Sequence, residues 1–174
     1  MTASAKPRRN CVTHNDIVRT ADICDENPNA RVLEVPFRDY AARSHFHGEV
    51  VTFATYEDNN GLRKILARGG NGKVLVVDGR ASRRRALCGG NIAAEAEQHG
   101  WEGLVINGCI RDQHEFRDLN LGVKAIGTTP MRPRHDGIGL EGVVLNFAGI
   151  QIRPGEYLYA DRDGIIITDQ PVHG

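Results

Sequence analysis

The chain has 174 residues, with 22 basic and 22 acidic side chains and a formal net charge of zero. That balance argues against a dedicated nucleic-acid-binding protein, which would carry a basic stripe, and no apolar run reaches membrane-spanning length. A single domain is the simplest division of this length, and it can bury about two-thirds of its unfolded surface without disulfide staples.

The first stretch, M-T-A-S-A-K-P-R-R-N, lacks the apolar centre of a signal peptide. Residues 1–13 read as a flexible arm, residues 14–174 as the folded domain, and the protein as cytoplasmic. Cys11, Cys24, Cys88 and Cys109 follow no zinc or C-x-x-C spacing, which fits a reduced compartment; Cys88 and Cys109 read as small buried hydrophobes.

Thr13 to Cys24 reads as a helix with an imperfect apolar face of Ile17, Val18, Ala21 and Ile23. Asn27-Pro28-Asn29 signals a turn, Val32–Val35 a strand, and His47–Thr55 a strand alternating around Val50, Val51 and Phe53. Asn59-Asn60-Gly61 reads as a turn, followed by a short helix over Leu62–Arg68 and a glycine break at 69–72. Val74–Val77 is a continuous apolar run, as expected of a central strand covered on both faces.

Arg83-Arg84-Arg85 is a solvated turn or a subunit contact rather than an RNA patch. Ile92–His99 reads as an Ala-rich helix stopped by Gly100. Strands are expected at Leu104–Ile106 and Val123–Ile126, then antiparallel ones at Val143–Phe147, Gln151–Ile152 and Ile165–Thr168. The mixture of βαβ-like and antiparallel segments gives an α/β domain with a mixed sheet.

The chemistry concentrates between Cys88 and Glu115. Gly89-Gly90-Asn91 precedes a helix whose first N–H groups have no internal partner, so an anion can sit there; equally, the glycines can make a plain turn that Asn91 caps. Arg111-Asp112 follows a strand, with Glu115 three residues on. Arginine offers a fork for a carboxylate, and aspartate offers hard oxygen for Mg²⁺ or Mn²⁺. An isolated Arg-Asp pair is more simply a surface ion pair. His45 and His47 form H-x-H without a third ligand in view, and His114 lies within the R-D-Q-H-E run. Walker, nucleophile-elbow and zinc-hydrolase motifs are missing from the sequence.

These residues resemble the RraA-like family, which includes the 4-hydroxy-4-methyl-2-oxoglutarate aldolases and the regulator of ribonuclease E activity A. The resemblance runs from Thr20-Ala21-Asp22-Ile23-Cys24-Asp25 through V-L-V-V-D-G (74–79), R-A-L-C-G-G-N (85–91), G-W-E-G-L-V-I-N-G-C-I-R-D (100–112) and G-V-K-A-I-G-T-T-P (122–130) to P-G-E-Y-L-Y-A-D-R-D-G (154–164). Gly90, Arg111-Asp112 and Glu115 match the spacing of the aldolase-like members, whereas the ribonuclease regulators tend to lack the aspartate. Ring-cleaving aldolases of the family carry an aspartate at the Gly90 position, so Glu115 is expected to take over its role around the metal.

The resemblance implies a single-domain β/β/α swivelling fold, similar to phosphohistidine domains, and a homotrimer or dimer of trimers. It implies a class II aldolase, dependent on Mg²⁺ or Mn²⁺, that cleaves 4-hydroxy-4-methyl-2-oxoglutarate to two pyruvates and decarboxylates oxaloacetate. Arg111 and Asp112 would be catalytic, Gly89, Gly90, Asn91, Ile92 and Arg111 would bind substrate, and Asp112 and Glu115 would hold the metal. One rival is a non-catalytic regulator that binds a ribonuclease E-like partner; retention of Asp112 and Glu115 speaks against it. The other is a methyltransferase, against which Arg80-Ala81-Ser82-Arg83 replaces the glycine loop expected after V-L-V-V-D-G.

Overall fold

The structure, a computed structural model, describes residues 19–172. In chain order the elements are α1 (Thr20–Glu26), β1 (Arg31–Val32), β2 (Arg38–Asp39), β3 (Phe46–Ala54), α2 (Asn60–Leu66), β4 (Val74–Asp78), β5 (Ala86–Cys88), α3 (Gly90–Gln98) and β6 (Gly103–Ile110). A 3₁₀ turn (Gln113–Phe116) then precedes β7 (Gly122–Thr128), β8 (Leu140–Glu141), β9 (Leu145–Phe147), β10 (Ile150–Ile152), β11 (Tyr157–Ala160) and β12 (Ile165–Thr168).

One mixed sheet runs β1-β12-β11-β3-β4-β6-β7-β2, with β5 paired to β6 and β8 to β3; β9 and β10 form a separate hairpin. Strands β3, β4, β6 and β7 are mutually parallel, and β5 is parallel to β6. The flanking strands β1, β2, β11 and β12 are antiparallel to their neighbours. The expected α/β architecture with a mixed sheet is the one observed.

Continuous apolar runs mark the centre because both faces there are covered. Leu75 and Val77 on β4 join Leu104 and Ile106 beneath α2 and α3. Val74 and Val76 face the opposite way, against Val50, Leu158, Ile165 and Ile167. A third cluster packs α1 through Ile23 onto Tyr159 and Ile166. The Phe46 ring lies against the backbones of Gly103 and Gly122, which are register partners on β6 and β7.

Several sequence expectations shift. Asn59-Asn60-Gly61 is the start of α2 rather than a turn, because Asp58 Oδ1 accepts the Asn60 N–H and a Cβ at Gly61 would overlap the Phe53 ring. The first helix covers Thr20–Glu26, two residues past its expected end at Cys24, and residues 13–18 lie outside the described residues, as do the 1–13 arm, Cys11 and His14. The Val32–Val35 strand shrinks to Arg31–Val32, since the Glu34 N–H turns away to Ala148 O. Strand β6 continues to Ile110, and β5 and β11 are additional. Cys88 and Cys109 are buried as expected. Among the described residues, no helix is long and apolar enough to cross a membrane.

Candidate functional site

Strands β5 and β6 end side by side, and the site is built on their ends. The Arg111 N–H donates to Cys88 O at 2.9 Å, locking the two strand exits together. Gly89 is extended (φ −119°, ψ 176°) and serves as the N-cap of α3 without a side chain of its own. Asn91 does not cap the helix, contrary to the plain-turn reading; it is an exposed residue of the first turn. Ile92 points into the core, and its N–H donates to Gly89 O at 3.1 Å. The N–H groups of Gly90 and Asn91 are therefore the donors at the open helix end.

Asp112 occupies the left-handed region (φ 56°, ψ 38°), where aspartate and asparagine are better tolerated than most residues. This turns the chain into the 3₁₀ turn, closed by the Glu115 N–H donating to Asp112 O at 2.9 Å. Asp112 Oδ2 lies 3.2 Å from Arg111 Nε, and both side chains are partly exposed. They hang over Gly89: a Cβ there would stand 2.9 Å from Asp112 Oδ2 and 3.5 Å from Arg111 Nε. Glu115 reaches back over Gly90 in the same way. The fold thus gathers Gly89, Gly90, Asn91, Arg111, Asp112 and Glu115 and turns the Ile92 side chain away.

Two half-exposed carboxylates beside an open helix end match the sparse protein ligation that Mg²⁺ accepts, with room left for waters. Among the described residues, no group of three or more His, Cys, Asp or Glu side chains converges to form a denser cage. His47 stacks on Tyr159 at 5.6 Å, and His45 precedes the strand and contacts Ser44, so the H-x-H pair does not converge.

Arginines 83–85 are drawn onto the protein. The Glu57 carboxylate, almost fully buried, accepts from Ser82 Oγ and Arg84 Nε at 2.7 Å each, with Arg85 Nε at 3.8 Å. The Ser82 hydrogen bond and the Arg84 guanidinium outweigh burial and hold the Glu57 carboxyl below its ordinary range.

Residues that, His114 apart, the sequence did not single out form a cavity of about 360 Å³ beside the 3₁₀ turn. Arg38, Tyr40, Gln113, His114, Arg117 and Thr128 line it, together with Asp39. They come from three segments of the chain, 38–40, 113–117 and 128. The only sequence signal would have been charged and aromatic side chains in F-R-D-Y.

The RraA-like family model (Aldolase/RraA) matches residues 20–167. A Pseudomonas fluorescens (strain SBW25) protein provisionally named 4-hydroxy-4-methyl-2-oxoglutarate aldolase is 47% identical over 154 residues, covering 88% of this chain and 94% of its own. Among solved structures, a Geobacillus kaustophilus HTA426 protein described as an S-adenosylmethionine: 2-dimethylmenaquinone methyltransferase superposes with a TM-score of 0.88 at 41% identity, covering 89% of this chain and 97% of that one. The RNA-processing inhibitor RraA from Thermus thermophilis does so with a TM-score of 0.88 at 39% identity, covering 90% and 96%.

Proposed function

We propose that this chain, which belongs to the RraA-like family, is a metal-dependent lyase that cleaves 4-hydroxy-4-methyl-2-oxoglutarate into two pyruvates and decarboxylates oxaloacetate as a side activity. The observation that carries the reading is the placement of the Arg111 guanidinium and the Asp112 carboxylate together over Gly89, beside the open end of α3. The aldolase names of relatives such as the P. fluorescens protein support it.

Mg²⁺ or Mn²⁺ would be held by Asp112, with Glu115 positioning its waters, and supplies Lewis acidity toward a 2-oxo group when bound. The protein groups do the rest. The N–H groups of Gly90 and Asn91 hold the carboxylate of the pyruvyl unit, aided by the dipole of α3. Arg111 donates to the 2-oxo oxygen, where negative charge grows as the C3–C4 bond breaks. The bonding pair moves into the pyruvyl unit, the C4 hydroxyl proton leaves to solvent and C4 becomes a ketone. Protonation of C3 completes the second pyruvate. Neither Lys124, buried and paired with Asp39 at 2.8 Å, nor Lys73, paired with Glu49, takes part.

Pyruvate release from both substrates, with Mg²⁺ or Mn²⁺ and against an EDTA-treated control, tests the reading. A folded protein that releases no pyruvate beyond the chelated control refutes it. We also propose a cytoplasmic homotrimer or dimer of trimers. Exposed Ile138, Leu140 and Val144 on one stretch of chain support self-association, which light scattering reads directly.

A second reading, a regulator binding a ribonuclease E-like endonuclease, is favoured by the likeness to the Thermus inhibitor. Pull-down with the endonuclease separates it from the lyase. A methyltransferase reading is disfavoured because Asp78 Oδ1 is engaged by the Arg80 N–H and Asn107 Nδ2, filling the strand end where a cofactor loop would lie.

A further inference from the structure

We propose that Asn59 is a positioning residue for the candidate site: its side-chain amide holds strand β5 so that the N–H donors after the strand and Arg111 beside it stand in place. The inference rests on the lyase reading and extends it to a residue outside the site.

Strand β5 has little to place it. It is three residues long, and its pairing with β6 shifts between Ala86, opposite Cys109, and Cys88, opposite Ile110. Leu87 falls at that shift. Its carbonyl accepts from Asn59 Nδ2 at 3.1 Å, in a buried hydrogen bond across 28 positions. The Leu87 side chain fits just as closely, since Cβ atoms on Gly79 and Gly108 would stand 2.5 and 3.1 Å from its Cδ1. Ahead of the strand, Ser82 and Arg84 donate to Glu57, which lies on the same β3–α2 connection as Asn59. That connection therefore grips the chain around β5 at two points.

What β5 carries follows at once. Cys88 O accepts the Arg111 N–H at 2.9 Å, and Gly89 is the N-cap of α3. A displaced Leu87 would move the partner of Arg111 and the N–H groups of Gly90 and Asn91 together. Asp112 and Glu115 follow β6 instead.

Stability alone does not call for an amide here. Asn59 is 3% exposed, and among the described residues its Oδ1 is the buried side-chain polar atom without a hydrogen-bond partner. A buried acceptor left unpaired weakens a fold. The useful half of the side chain is the donor. Replacing the amide by an apolar group removes the orphan acceptor while depriving Leu87 O of its donor, so the two effects on stability oppose each other.

Asn59→Leu keeps a branched shape without the donor, and Asn59→Ala removes the donor without overpacking. In both, kcat/KM for 4-hydroxy-4-methyl-2-oxoglutarate should fall about ten-fold, mainly through KM, because the N–H groups grip the pyruvyl carboxylate before and during cleavage. Mn²⁺ affinity should stay at the wild-type value. Amide hydrogen exchange followed by NMR should find the Arg111 N–H exchanging about ten-fold faster, while the amides of β4 keep their wild-type rates.

Exchange at Arg111 that is unaltered, or that quickens in step with β4, overturns the proposal, as does a wild-type KM. Failure of both variants to fold makes Asn59 a structural residue and overturns it too. Should wild-type protein cleave neither this substrate nor oxaloacetate, the lyase reading falls, and the exchange comparison alone decides whether Asn59 positions β5.

Discussion

Gly90 and the carboxylate of Glu115 claim the same space. A Cβ on residue 90 would overlap Glu115 Oε2 and crowd its Cβ and Cδ. Because Glu115 Cβ, fixed by its own backbone, would stand only 2.5 Å away, a methyl on residue 90 needs the 3₁₀ turn itself to shift.

Gly90→Ala should therefore lower both stability and activity. Overpacking costs about 1–3 kcal/mol, more than the roughly 0.5–1 kcal/mol that alanine gains over glycine in a helix, so the melting temperature should fall. Displaced Glu115 should weaken Mn²⁺ binding and slow pyruvate release. Calorimetric Mn²⁺ titration beside a melting curve checks both; unchanged metal affinity would detach Glu115 from the metal.

Asp112→Asn and Arg111→Ala should each cost about 3–4 kcal/mol of barrier, nearly abolishing turnover. Asparagine tolerates the left-handed backbone at 112, so the first variant should keep the wild-type circular dichroism spectrum and melting temperature. Wild-type-like rates in either would reject these roles.

Acid should loosen the start of the described chain first. Asp161 accepts the backbone N–H of Thr20 at 2.7 Å and its hydroxyl at 2.8 Å, across 141 residues, and also the N–H groups of Asp163 and Gly164. Burial alone would raise its pKa, but these hydrogen bonds outweigh it and hold it below the ordinary 3.8. A depressed folded pKa means the stabilisation is complete well above 3.8 and is lost as pH falls below that value toward the folded pKa. Thr20→Val should cost about 1 kcal/mol at neutral pH, by loss of the hydroxyl hydrogen bond to Asp161, and flatten the acid limb of urea stability curves. An unaltered limb would count against the pairing.

Cys88 should resist alkylation in the native state. It is fully buried, and burial, with a smaller push from Glu95, raises its thiol to about 12. At pH 8 almost no thiolate is present to react. Iodoacetamide labelling followed by mass spectrometry should find it unmodified until urea unfolds the protein.

Gly122→Ala should destabilise by about 1–3 kcal/mol, because its methyl would enter the Phe46 ring, which is itself pinned against Gly103. Gly122→Ala with Phe46→Leu should recover part of the loss, as read by urea denaturation.

How far the sequence reached depended on whether a signal was local. The V-L-V-V-D run was readable as a central strand because covering both faces demands unbroken apolar residues. Strand β5 was not, because three residues after an arginine run carry no periodicity and form a strand only by pairing with β6. Asn60 looked like a turn residue until the distant placement of Phe53 and the neighbouring Asp58 made it a helix start. At the site, spacing grouped Gly90, Arg111, Asp112 and Glu115, but the overlap of Glu115 with position 90 depends on how α3 docks against the 3₁₀ turn. Arg38 and Arg117 are 79 positions apart, and only the β2–β7 edge brings them to one cavity.

Strand β1 closes onto β12 with Arg31 opposite Ile167. Contacts that span nearly the whole polymer form late, since ordering so long a loop has an entropic cost that only the finished sheet repays. A nascent chain leaving the ribosome would therefore hold its opening segment undocked until the last strand emerged. Truncation after residue 160 should leave that segment open to proteases while the parallel centre has already set.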